Sequence, residues 1–186
     1  SQMAGSESEL IKRCLESKAD GIICFAEDPQ ENIGSFHLIM EHHIPAVMLD
    51  RGPSDMPFTL VSAYNVDGGY QIAHYLIGIG HKNIVFAADT IQLEAEKDRI
   101  KGYRMAQEAG IACEEQFVID RVHLQEQQDK LVELVKTRGI TAVQCVNDKM
   151  AVLVMRRLKN EGYHIPEDIS VCGFDGSDEA EYASPR

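Results

Sequence analysis

The chain reads as an α/β protein built on parallel sheets covered by helices. Two observations predict this. Stretches with strand character alternate with stretches of helical periodicity along the whole sequence, the signature of crossover-connected parallel strands. And the same junction recurs, with a helix ending on Gly or Pro and an apolar strand following, at Gly21, Pro45, Gly80, Gly139 and Pro166.

Each element follows from its own residues. Ser6 and Glu9 match a capping box, and the helix behind them carries Leu10, Ile11, Cys14 and Leu15 on one face. Residues 21–26 form a strand that Pro29 closes. A helix is expected from about Glu31 to His42, with Phe36, Ile39 and Met40 inward. Strand 45–49 ends at Asp50, a Gly/Pro/Asp loop follows, and residues 58–62 form a short strand. Asn65 is expected to cap the next helix, whose inner face is Ile72, Ala73 and Leu76 and which ends at Gly78 and Gly80. Strand 84–88 ends on Asp89. A long helix from about Glu94 to Ala109 turns Ile100, Tyr103 and Ala106 inward and stops at Gly110. Strand 117–119 precedes a helix marked by Leu131, Leu134 and Val135 and closed by Gly139.

The most informative stretch is 141–176. Thr141 to Val146 is a β-branched, apolar strand. Asn147 and Asp148 follow as helix caps, and the helix shows Ala151, Val154, Met155 and Leu158 at helical spacing. Arg156, Arg157 and Lys159 lie near its C-terminal end, where the dipole favours cations, and Gly162 stops it. Strand 169–174 then ends on Asp175-Gly176, and residues 178–186 are polar.

Composition narrows the function. Against 30 acidic residues stand 18 basic ones, a net charge of −12, which repels a phosphate backbone. The hydrophobic content of 44% is enough for a packed core. The five cysteines, at 14, 24, 113, 145 and 172, are odd in number and lack paired metal spacing. Three of them fall inside strands and read as small buried hydrophobes suited to a reducing cytoplasm. No apolar run reaches the length of a membrane helix.

Several motifs are dismissed on placement. Gly78-Ile79-Gly80 lies at the end of a helix, not between a strand and the helix after it, so it cannot present a helix N-terminus to a phosphate. His37, Glu41, His42 and His43 lack metal-binding spacing, and Cys145 and Cys172 lack a base. No cofactor, metal or catalytic residue is expected. The strand ends differ, because Asp50, Asp89, Asn147 or Asp148, and Asp175 all stand at carboxyl edges, where open α/β sheets bind ligands. Arg99 lies near the start of the helix after such an edge. Acceptors, donors and a planar fork together suit a ligand covered in hydroxyls.

With these residues in place, the chain resembles the effector-binding core of the lactose- and galactose-repressor family of bacterial transcription regulators. The resemblance rests on motifs in the family's order: Ala19 to Ile23, Ile44 to Val47, Asp67 to Tyr70, Gly80 to Ile84, Arg99 to Tyr103, Cys145 to Ala151 and Ile165 to Asp175. It implies a two-lobed, periplasmic-binding-protein-like fold without catalytic activity. Residues 1–80 would belong to a first lobe, 81–177 to a second, and 178–186 to the start of a return crossing, with Gly80-His81-Lys82 as the first hinge crossing. It implies ligand contacts at Asp50, Arg99, Asn147 and Asp175, with looser support for Asp89 and Asp148. It further implies a small-molecule effector such as a sugar, a cytoplasmic homodimer, hinge closure on binding, and DNA contact only through a separate head. The family's opening strands and its returning segment have no counterpart here, so the chain is expected to be incomplete at both ends. The alternative reading is a periplasmic sugar-binding protein of a transport system, which shares the fold and its strand-end chemistry.

Overall fold

A computed structural model describes residues 7–26, 32–53, 55–91, 93–109 and 117–185. Ser6 of the capping box, Pro29, Glu31, Gly110 and Cys113 lie outside the described residues. The chain divides into two compact units, residues 1–63 and 64–186.

The first unit alternates α1 (Glu7–Glu16), β1 (Ile22–Cys24), α2 (Ile33–Glu41), β2 (Ala46–Leu49) and β3 (Thr59–Val61). Its strands form a parallel sheet in the order β1-β2-β3. Ile11 of α1 and Phe36 and Ile39 of α2 bury against Cys24, Ala26 and Met48. Met40, expected to face inward, is exposed, because the face centred on Phe36 and Ile39 already fills the contact with the sheet.

The second unit contains α3 (Asn65–Gly78), β4 (Ile84–Ala87), α4 (Glu94–Glu108), β5 (Phe117–Ile119), α5 (Gln125–Arg138), β6 (Ala142–Cys145), α6 (Asp148–Asn160), β7 (Ser170–Cys172) and α7 (Asp178–Glu181). Its parallel strands run in the order β5-β4-β6-β7. β4 and β6 are central and buried along their length, as expected of strands covered on both faces. Tyr103, Leu131, Val154 and Leu158 are buried around them in one continuous core. Gly139 ends α5 in the left-handed conformation, with φ 60°.

Further differences from the sequence expectation concern α3 and the end of the chain. The units divide at 63/64 and not at 80/81, because Ala73, Leu76 and Ile77 of α3 are part of the core around β4 and β6. And the polar end of the chain includes a helical turn, α7, that its composition did not predict.

Candidate functional site

The carboxyl ends of β4, β5, β6 and β7 share one edge of the second sheet. Arg99, in the second turn of α4, is brought to that edge and is only 8% exposed. Its Nε donates to Asn65 Oδ1 (2.9 Å), its Nη1 to the Val146 carbonyl oxygen (2.7 Å) and its Nη2 to Asp175 Oδ1 (3.0 Å). The guanidinium also lies over the Phe174 ring, 3.8 Å from its centroid, a cation–π contact. An arginine has five N–H groups. These bonds use three, so two have no protein acceptor among the described residues.

The helix pair behind Arg99 explains how a large cation can be held there. α3 and α4 meet backbone to backbone: a Cβ on Gly69 would run into the Arg99 carbonyl, and one on Gly102 into the Val66 carbonyl. Only glycine allows that approach, and it brings the first turn of α3 onto Arg99. On the same turn, a Cβ on Gly68 would come within 2.6 Å of Phe174 Cε2. Buried Gln144 of β6 ties the pair to the sheet through its Nε2, which donates to the Gly69 carbonyl (3.0 Å).

Asp175 follows β7 on an exposed turn and has a backbone φ of 96°, unusual for a residue with a side chain. The turn is held by Asp148, which is buried. Its Oδ2 accepts from the Ser177 backbone N–H (2.7 Å), and its own N–H donates to the Phe174 carbonyl (3.0 Å). Gly173 is needed beside it, since a Cβ there would overlap the Asp148 carboxylate. Asp148 thus holds the loop that carries Asp175. Asn147 caps α6 as expected, its Oδ1 accepting from Met150 N–H at 2.9 Å.

Asp89, at the end of β4, meets a residue the sequence reading did not single out. His123 Nδ1 lies 2.5 Å from Asp89 Oδ1, and both side chains are partly exposed. Because a carboxylate only accepts, Nδ1 is the donor of this bond. Asp50 belongs to the first unit, where Arg51 Nε and Nη2 reach its Oδ2 at 3.1 and 3.0 Å. Like Asp175 it has a positive φ, 63°.

The structure therefore joins Arg99 and Asp175 directly and brings Asn147 and Asp148 to the same edge. Asp89 pairs with His123, and Asp50 pairs within its own unit. Asn65 is not the α3 cap: Tyr64 occupies that position without a side-chain cap bond, and the Asn65 oxygen serves Arg99. The one sequence signal for the α3–α4 contact was a shared Gly-Tyr pair, Gly69-Tyr70 and Gly102-Tyr103, within two of the family-like motifs. Burial raises Cys145 and Cys172 above the ordinary thiol value, so both stay protonated.

Comparison with known proteins agrees with this architecture. The model of the periplasmic binding protein-like domain matches residues 73–186. The HTH-type transcriptional regulator DegA of Bacillus subtilis (strain 168) is 32% identical over 183 residues, covering 96% of this chain and 54% of DegA. The HTH-type transcriptional repressor PurR of Vibrio atlanticus is 33% identical over 186 residues, with 96% and 54% covered. The chain thus spans about half the length of these curated relatives. Among solved structures, the transcription regulator CcpA of Lactococcus lactis superposes with a TM-score of 0.78 at 24% identity, covering 96% of this chain and 66% of CcpA. A complex of the transcriptional regulator CelR with cellobiose superposes at 0.75 with 26% identity, covering 98% and 57%. The chain belongs to the periplasmic binding protein-like domain family.

Proposed function

We propose that this chain is the ligand-sensing core of a bacterial transcription regulator and that its ligand is a hydroxyl-rich small molecule, a sugar or a close relative. The observation that carries the reading is the Arg99 guanidinium. It is buried, oriented by three hydrogen bonds, and among the described residues has two donors without a protein acceptor, at a carboxyl sheet edge beside the exposed Asp175 carboxylate. A fixed donor fork next to an acceptor is what a vicinal pair of hydroxyls requires. A similar protein, CelR, is known in complex with cellobiose.

In this reading Arg99 and Asp175 are the main contacts. Asn147 adds its amide N–H groups while its oxygen caps α6. The resemblance adds Asp50. Asp89 acts together with His123, and Asp148 serves by holding the Asp175 loop. The resemblance also carries the output: binding changes the angle between the two units within a cytoplasmic homodimer, and a separate head contacts DNA. A ligand can drive that change only by its difference in affinity for the two arrangements. No catalytic step is assigned.

The test is a thermal-shift screen of the full-length protein against monosaccharides, disaccharides, sugar phosphates and purines, followed by calorimetric titration of each hit. A sugar-class hit that is lost in Asp175→Ala supports the reading. A screen with no hit, or hits indifferent to Asp175→Ala, counts against it.

A further inference from the structure

Asn65 opens α3, the helix with which the second unit begins. Helix-opening asparagines ordinarily satisfy the helix's own N–H groups. Here the side-chain oxygen accepts from Arg99 Nε, and both residues are buried, at 4% and 8% exposure. We propose that Asn65 is a positioning residue for Arg99, and that through it the first turn of α3 couples ligand occupancy to the point where the chain passes from the first unit to the second. The inference rests on Arg99 being a ligand contact, as argued above.

A guanidinium turns about its Cδ–Nε bond unless its N–H groups are held. Of the three acceptors that hold Arg99, the Val146 carbonyl is fixed by the sheet. Asp175 lies on an exposed turn and is itself available to a ligand. Once a ligand draws on Asp175, the hydrogen bonds that hold the fork among the described residues are those to Asn65 and Val146, beside the stack on Phe174. The same turn of α3 also backs the surface on which the guanidinium lies, because Gly68 abuts the Phe174 ring. Gly69 and Gly102 let that turn pack directly on the α4 backbone at Arg99.

Position gives this contact a second role. The first unit ends at Ala63, two residues before Asn65. A ligand that fixes Arg99 therefore fixes Asn65, and with it the start of α3 immediately after the crossing. This is one bonded path from the ligand to the segment that any change of angle must bend.

The experiment takes a ligand found in the screen above, with ribose, cellobiose, glucose 6-phosphate and guanine among the probes. It compares wild type, Asn65→Ala, Asn65→Asp and Asp175→Ala in the full-length protein. Calorimetry gives affinity. Hydrogen exchange at saturating ligand gives protection of the amides around 62–68, independently of affinity. Asn65→Ala is expected to bind about tenfold more weakly, the scale of one hydrogen bond to a charged group, and to lose ligand-induced protection at 62–68 even when saturated. Asn65→Asp keeps an acceptor and is expected to retain both. Should Asn65→Ala fail to fold, Asn65→Ser, which is too short to reach Arg99 Nε, makes the same comparison. Wild-type affinity and protection in Asn65→Ala, with binding still lost in Asp175→Ala, would overturn the coupling role and leave the proposed function standing. If no probe binds the wild type, the proposed function fails and this inference fails with it.

Discussion

Replacing Arg99 by alanine tests whether this side chain is a buried strut as well as a ligand contact. The substitution takes the donor away from the Val146 carbonyl and from Asn65 Oδ1, both in buried surroundings. Each buried acceptor that loses its donor costs about 1–3 kcal/mol. Loss of the stack on Phe174 adds about 0.5–1 kcal/mol. The ion pair with Asp175 contributes little to folding, because that carboxylate is 48% exposed and pairs of this kind give about 0–1 kcal/mol. Arg99→Ala should therefore lose on the order of 3 kcal/mol and melt about 10 °C lower. Asp175→Ala should stay within about 1 kcal/mol of wild type. Both should weaken ligand binding, by about 10- to 100-fold. Circular-dichroism melting of the ligand-free proteins and calorimetric titration separate the two effects. An Arg99→Ala protein that melts like wild type, or an Asp175→Ala protein that loses more stability than Arg99→Ala, would refute the strut. Unchanged affinity in Asp175→Ala would remove Asp175 from the ligand set.

Gly102→Ala should lower stability by about 1–3 kcal/mol in urea denaturation, since its Cβ meets the Val66 carbonyl and backbone gives way less easily than a side chain; an unchanged midpoint would mean that α3 and α4 do not touch there. His81, whose ring nitrogens meet Thr141 Oγ1 and Ser170 Oγ, is held by burial below its ordinary value of 6.5. Below about pH 6.5 the unfolded chain takes up a proton that the folded one resists, so stability should fall with acidification, and His81→Gln should flatten that slope in urea melts at pH 7.5 and 5.5. Cys145, fully buried with its thiol raised, should react with a thiol reagent only on unfolding, whereas partly exposed Cys14 should react in the native protein; rapid native labelling of Cys145, read by mass spectrometry, would contradict the packed core. With a net charge of −12 this chain alone should bind DNA negligibly, and tight, salt-sensitive binding in a mobility-shift assay would show otherwise.

Elements whose signals are local were legible in the sequence. The β6–α6 junction is one: a β-branched run, a capping Asn147 and an apolar face that includes Val154 and Leu158 are features within one to four residues of each other, and all are seen. The inward face of α4, Ile100, Tyr103 and Ala106, was legible for the same reason. The common carboxyl edge was also foreseeable, because parallel strands joined by helices bring their ends to one side whatever their order.

Contacts between distant parts of the chain were not legible, because the sequence does not contain the strand order. Arg99 meets Asn65 across 34 residues and Asp175 across 76, and both contacts exist because β4, β6 and β7 are neighbours and α3 packs on α4. Asn65 illustrates the ambiguity. The short polar side chain that caps a helix also accepts from a guanidinium, so only the proximity of Arg99 decides between the two. Asp148 was similarly open until the backbone of Ser177 arrived to take its carboxylate. The division at 63/64 depends on which core claims the apolar face of α3, and periodicity marks that face without naming its partner. By itself, then, the sequence determined most of the elements, the Asn147 cap and the edge where the polar residues gather. The tertiary structure decided which of those residues meet one another, Arg99 with Asn65 and Asp175 and Asp148 with Ser177, because hydrogen bonds pair groups by distance in space and not by separation along the chain.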